Sequence, residues 1–257
     1  MKKTIVELDL KGYSDIAREL EEHLSAEVVM KFNDQIQSMV DAGLKAVGVQ
    51  RAQAVMATTG DGAILAFDQP ETGHHFGQAV HSECRVHNHE KSVIQARRWF
   101  RIGIATGDLV LEETGTSRKM AGSVIARAVR LEAAGSIGEI LIDADTYSAL
   151  PKPLQACYGS RELISGKREE KFPAYRYVVV PHNLTGSTAK VAAEPAAPAK
   201  SPGLDFGKAT SILREKIAFL QKERAVVTSA EQKFELLFRI REAEQHLSEL
   251  ETDSSKT

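Results

Sequence analysis

Gln53-Ala54-Val55-Met56-Ala57-Thr58-Thr59-Gly60-Asp61-Gly62-Ala63-Ile64-Leu65-Ala66-Phe67 is the stretch on which the fold turns. Its two ends are short apolar, partly alternating runs that read as strands. The Gly60-Asp61-Gly62 between them reads as a hairpin turn whose glycines tolerate positive φ. That places the Asp61 carboxylate at the tip of a hairpin.

Working outward, the run Thr4-Ile-Val-Glu-Leu-Asp9-Leu-Lys-Gly12-Tyr-Ser14 is a second apolar strand. Asp9 stands near its end, and Gly12 lets the backbone turn sharply into a helix. Two aspartates at adjacent strand ends, beside a glycine turn with unbonded N–H groups, suit a divalent metal and a polyphosphate. Asp-Gly is also the commonest way to close a hairpin, so on this stretch alone the plain structural reading stands beside the functional one.

The chain of 257 residues is 42% apolar and 26% charged, which is ordinary for a globular protein with a sizeable core. Its formal charge of −2 supplies no basic field for a nucleic acid. Cys84 and Cys157 lack metal-like spacing, the N-terminal segment turns acidic too soon for a signal peptide, and no run is long enough to span a membrane. The expectation is a cytoplasmic protein that binds neither nucleic acid nor membrane.

Helical spacing predicts a short polar helix over 13–24. A longer one follows, capped by Ser25, with Val29, Phe32, Ile36, Val40 and Leu44 turned to the core. Pro70 opens a helical region to about Gln95 that holds His74, His75, His81, Cys84, His87 and His89. His81, Cys84 and His87 are three apart, but without a tight ligand pair or a fourth ligand a solvated His-rich face is preferred to a zinc site. Residues 98–107 read as a strand whose hairpin partner is Leu109–Glu113. Gly122–Leu131 reads as a helix with Val124, Ala128 and Leu131 on one side and Arg127 and Arg130 neighbours on another. Further strands are expected at 138–143, 154–158 and 174–180, with a short helix over 144–149. Helices between apolar strands with several hairpins define an α+β domain on a mixed sheet.

Residues 183–206 read as an Ala/Pro-rich linker, with no aromatic residue over 187–203. Beyond it, 207–257 reads as a helical hairpin. Leu213, Ile217 and Leu220 lie on the first helix; a capping box at Ser229–Gln232 opens the second, with Phe234, Leu237, Ile240, Leu247 and Leu250. The stripe is narrow and is expected to pair with a second copy or with a partner protein.

Together these blocks resemble the catalytic domain of class III nucleotidyl cyclases, the adenylate and guanylate cyclase family, over residues 1–182. The matching segments are Val6–Ser14, Thr59–Gly62 with Phe67, Arg101–Gly107, Gly122–Leu131 and Gly138–Ile142. The resemblance implies a homodimer with composite sites. Asp9, Asp61 and the Leu10 carbonyl would hold two Mg²⁺ or Mn²⁺ ions, and the backbone N–H groups of Lys11, Gly12 and Tyr13 would cradle phosphates. The partner subunit would supply Arg130 to stabilise charge at the α-phosphate, and Lys167 matches a triphosphate-binding lysine.

The same resemblance exposes departures. The purine-selecting lysine of the family is here Ala57, its partner position is Lys119, and the ribose-positioning asparagine is Ala126. An alanine methyl reads no base edge, and a lysine offers only donors. With Asp9, Asp61 and Arg130 retained, the chain is similar to bacterial antiphage pyrimidine cyclases. Uracil, with O4 as acceptor for Lys119, is preferred to cytosine, so the expected reaction is UTP to 3′,5′-cyclic UMP and pyrophosphate. Two alternatives stay open: an adenylate cyclase with an atypical base pocket, and a nucleotide-binding pseudocyclase acting through its helical tail.

Overall fold

The computed structural model describes residues 1–89, 91, 97–114, 117–165, 171–181 and 206–227, with 236, 237, 240, 243, 244, 247 and 248. The expected linker up to residue 205, the 229–232 capping box, Phe234, Leu250 and Lys167 lie outside the described residues, while Phe206, the last residue of that linker, already belongs to a helix. The chain divides into two units, Met1–Glu90 with Arg98–Ala189, and Lys91–Arg97 with Lys190–Thr257.

The first unit is an α+β fold on a seven-stranded mixed sheet. In chain order its elements are β1 (Lys2–Leu10), α1 (Tyr13–His23), α2 (Ala26–Ala46), α3 (Arg51–Ala54), β2 (Val55–Thr58), β3 (Gly62–Phe67) and α4 (Pro70–His89). There follow β4 (Phe100–Asp108), β5 (Val110–Thr114), β6 (Ser117–Ala121), α5 (Ser123–Ala134), β7 (Glu139–Asp143), α6 (Ala144–Ala149), α7 (Lys152–Gln155), β8 (Glu162–Ser165) and β9 (Lys171–Val178). The strand order is β2-β3-β1-β4-β7-β9-β8. Only β4 and β7 run parallel; β1 is antiparallel to both β3 and β4.

Strand alternation divides β1 between two helical layers. Thr4 and Val6 face α4, where a Cβ on Gly73 would lie 3.2 Å from each of their γ-methyls. Ile5 joins Ala105, Val124, Ala128, Leu131 and Leu141 in the core beneath α5. Glu7 and Asp9, two and four residues after Ile5, therefore lie on the α5 side of the sheet, as does Arg101, the register partner of Asp9 on β4.

Several expectations need correction. The segment after β4 does not fold back on it, because β1 and β7 already flank β4; β5 pairs with β6 in a separate ribbon. Residues 154–158 are not a strand. Pro151 and Pro153 instead open α7, since proline suits a first helical turn and cannot donate to a ladder. Ser25 stands at the start of α2 without a side-chain cap bond. Among the described residues the positive-φ glycines are Gly12, Gly48 and Gly138, not Gly60 or Gly62.

The His-rich face of α4 is not solvated as a whole. His74, His81 and Cys84 are fully buried, and residues 74, 77, 81, 84 and 88 form the inward stripe. His74 Nδ1 meets the Tyr158 hydroxyl at 2.7 Å, and His81 Nε2 lies 3.3 Å from the Glu139 carbonyl. Burial lowers both imidazoles to about 4 and pushes the Cys84 thiol up to about 12.

In the second unit, α8 (Phe206–Val226) brings Ile217 and Leu220 against Leu236, Ile240 and Ala243, with Leu213, Val227 and Leu247 packed on them. The apolar stripe is thus engaged first within the chain. No described helix is long and apolar enough to cross a membrane.

Candidate active site

The two aspartates meet because β1 and β3 are neighbours. Asp9 is the register partner of Gly62, and the Leu10 N–H donates to the Asp61 carbonyl at 2.8 Å. Position 62 must be glycine for want of room: a Cβ there would lie 1.9 Å from the Leu8 carbonyl oxygen. From α2, Gln37 Nε2 donates to the carbonyls of Thr59 (3.3 Å) and Gly62 (3.1 Å), and Arg51 in turn holds Gln37 Oε1 at 2.5 Å. The turn carrying Asp61 is braced on both sides.

The expected phosphate loop is partly committed. The Lys11 N–H already donates to the Trp99 carbonyl at 3.1 Å, so it is not available to a phosphate, which corrects that expectation. Gly12, at φ 78°, leads into α1, whose first N–H groups lack intrahelical acceptors by helix geometry. Tyr13 does not face outward. Its hydroxyl donates to Asn33 Oδ1 at 2.8 Å, and its ring stacks on Phe32 with centroids 5.5 Å apart.

Around Asp9 lies a group of charges that sequence reading missed. Arg101 NH2 reaches Asp9 Oδ2 at 2.5 Å, and Arg101 Nε stands 2.7 Å from Glu132 Oε1 of α5. The latter is an ion pair by distance without hydrogen-bond alignment, since both atoms are buried and lack a hydrogen-bond partner. Burial raises the Asp9 carboxyl; the Arg101 contact opposes this and the neighbouring Asp61 carboxylate adds to it. Glu132 is raised to about 7, chiefly by burial and against the pull of Arg101. Glu7 is raised to about 8 by burial and by Glu132, Asp9 and Asp61. One signal was legible: Glu7 and Asp9 sit two apart in an apolar strand, hence on one face.

The two arginines of α5 part company. Arg127 NH1 lies 3.0 Å from Asp145 and 3.3 Å from Asp143, tying α5 to the start of α6, so it has a structural partner set. Arg130 lies half-buried three residues further along. Ala57 is half-buried on β2, and Lys119 is exposed on β6 opposite Glu112. The structure therefore brings Asp9, Asp61 and the Leu10 backbone together and leaves Ala57, Lys119 and Arg130 on three other elements.

These residues fit a divalent cation. The Asp61 carboxylate raises the cost of ionising Asp9, which a cation beside them would relieve, and hard oxygen donors suit Mg²⁺ or Mn²⁺. Among the described residues no three His, Cys, Asp or Glu side chains converge as a metal-ligand set. Mg²⁺ commonly binds one or two carboxylates together with substrate phosphates and waters.

No protein-family model matches the chain, and no curated protein matches it. Solved structures do. The adenylyl cyclase CyaB from P. aeruginosa aligns at 21% identity and TM-score 0.54, over 71% of this chain and 96% of that one. The guanylate cyclase domain of RhGC from Catenaria anguillulae, in complex with GTP, aligns at 18% identity and TM-score 0.54, over 68% and 94%. An adenylate/guanylate cyclase/hydrolase from Silicibacter pomeroyi aligns at 21% identity and TM-score 0.51, over 69% and 96%. The chain has the fold of the adenylate and guanylate cyclase catalytic domains. About a third of it lies outside that likeness.

Proposed function

We propose that this protein is a class III nucleotidyl cyclase that converts UTP to 3′,5′-cyclic UMP and pyrophosphate, as a messenger for antiphage defence. The observation that carries the cyclase reading is the main-chain coupling of Asp9 and Asp61 at the β1–β3 ladder, inside a cyclase-type fold. Bound Mg²⁺ or Mn²⁺ would lower the pKa of the ribose hydroxyl and offset triphosphate charge. Asp9, Asp61 and the Leu10 carbonyl would hold the two ions. The N–H groups of Gly12 and Tyr13 would hold phosphates at the start of α1, and Lys167, by the family resemblance, would bind the triphosphate.

In the reaction the ribose 3′-hydroxyl gives up its proton to solvent, its oxygen bonds to the α-phosphorus, and the bond from that phosphorus to the bridging oxygen breaks, releasing pyrophosphate. Arg130, from the second subunit of a homodimer, would offset charge as it develops on the α-phosphate. The residue types at 57 and 119 support a pyrimidine substrate. Ala57 makes no hydrogen bond to a base edge, and the exposed Lys119 can donate to uracil O4.

The proposed organisation is a cyclase domain over 1–182, a linker over 183–206 and a helical module over 207–257 for dimerisation or partner recruitment, in a cytoplasmic protein. The test is to incubate the purified chain with Mn²⁺ and each of the four ribonucleoside triphosphates and to resolve the products by mass. Cyclic UMP as the main product supports the reading. Cyclic AMP as the main product replaces it with an adenylate cyclase, and no cyclic product with any triphosphate replaces it with a pseudocyclase.

A further inference from the structure

Arg101 and Glu132 have no role in the reaction just proposed, yet they link three elements at its centre. Arg101 stands opposite Asp9 across the β1–β4 ladder and holds Oδ2 at 2.5 Å. Glu132 reaches the same guanidinium at 2.7 Å from α5, with only 8% of its side chain exposed. The geometry depends on Gly103, two residues after Arg101 on the same face of β4. A Cβ there would lie 2.2 Å from the Ala128 carbonyl oxygen and 2.3 Å from the Glu132 nitrogen. Without a side chain at 103, α5 settles onto the strand and sets Glu132 over Arg101.

We infer that Arg101, with Glu132 behind it, is the positioning residue for Asp9. The inference rests on the reading that Asp9 holds a divalent cation. The guanidinium fixes Oδ2 and so sets the orientation of the carboxylate that would meet the cation. An arginine beside a cation site has an obvious cost, because its charge repels the ion it is meant to help bind. Glu132 removes that cost. When ionised, Glu132 offsets the guanidinium charge, so the negative charge of Asp9 remains for the cation while Arg101 still orients the carboxylate.

This arrangement differs from an exposed ion pair, which contributes little. Asp9 and Arg101 are each about three-quarters covered, and their register is set by the strand ladder. Outer partners that orient metal ligands in this way typically change metal affinity by about 10–100-fold when altered.

The sign of the effect separates positioning from charge balance. If Arg101 merely supplied countercharge, Arg101→Gln would tighten cation binding. If it orients Asp9, that variant weakens binding despite the lost positive charge. The experiment titrates Mn²⁺ into the full chain and reads the free-ion signal by electron paramagnetic resonance, without nucleotide and hence without turnover. Melting temperatures are recorded alongside.

Arg101→Gln and Arg101→Lys are each expected to weaken the Asp9-dependent Mn²⁺ site about tenfold, and Glu132→Gln, which keeps the shape and an acceptor, about threefold. Unchanged or tighter binding in Arg101→Gln overturns the inference. If both Arg101 variants fail to fold, Glu132→Gln decides: an unchanged affinity overturns it. A parent chain lacking any Mn²⁺ site abolished by Asp9→Ala overturns the cation reading and this inference together. Normal parent binding with unaffected Arg101 variants overturns this inference alone.

Discussion

The Leu10 N–H donates to the Asp61 carbonyl at 2.8 Å, so the chain after the first aspartate is fastened to the main chain of the second. Side-chain changes at Asp61 leave this bond in place. Asp61→Asn is therefore expected to keep its fold while product formation at saturating Mn²⁺ falls below about a tenth of the parent value. Rate assays and thermal melts on the same preparation check both halves. Higher retained activity would remove Asp61 from the metal site.

Assembly makes a second prediction. If one subunit supplies Asp9 and its partner Arg130, Asp9→Ala and Arg130→Ala chains are each inactive alone. Mixed in equal amounts they form about half mixed dimers, each with one complete site of two, so recovery should approach about a quarter of parent activity. Subunit exchange is verified by native mass spectrometry. No recovery after verified exchange would place the whole site within one chain.

Base choice is tested by restoring the residue types that the purine-specific pattern carries. The double substitution Ala57→Lys with Lys119→Asp should raise kcat/KM for ATP relative to UTP, because sites built on hydrogen bonds discriminate strongly against bases that leave them unpaired. Parallel kinetics on parent and variant with both nucleotides decide it. An unchanged ratio would separate these positions from base reading.

Crowding at position 62 gives a stability prediction. A Cβ at Gly62 would meet the Leu8 carbonyl at 1.9 Å, and backbone cannot yield as a flexible side chain does. Gly62→Ala should cost about 1–3 kcal/mol or more, read as a lower urea midpoint. It should also lower activity, because β3 must move away from Asp9.

The buried histidines predict acid sensitivity of the fold. His81 titrates near 6.5 when unfolded but only at about 4 when folded, so below pH 6.5 the unfolded chain binds the extra proton. Its contribution to stability is present above 6.5 and is lost as the pH falls toward 4, by about 2 kcal/mol at pH 5. Urea unfolding at pH 7.5 and pH 5 measures it. His81→Gln should show a smaller loss between the two pH values than the parent, and equal losses would contradict the burial argument.

Local signals read well where a residue's neighbours in sequence decide its environment. The helices over 26–46 and 123–134 follow apolar spacing at 3.6 residues, and Phe32, Ile36, Val40 and Leu44 are buried as that spacing requires. The partner of a strand is a non-local matter, and there the reading failed: β5 was matched with β4, whose two edges were already taken. The prolines at 151 and 153 did carry a local warning against a strand over 154–158. The burial of His74 and His81 depends on which face α4 turns to the sheet, and polar residue type pointed the wrong way.

The sequence by itself determined the strand-end aspartates, the turn between β2 and β3, the absence of a hydrogen-bonding side chain at Ala57 and the periodicity of each long helix. These are properties of residue type at short spacing. Only the tertiary structure decided that Asp9 faces Arg101, that Glu132 comes within 2.7 Å of it, that the Lys11 N–H is taken by Trp99, and that Arg127 ties α5 to α6. The physical reason is that strand register and helix-on-sheet packing join residues far apart in the chain, such as Asp9 and Arg101, 92 positions apart. That close approach is set by backbone room at Gly62 and Gly103, which becomes visible only once the strands and α5 are packed together.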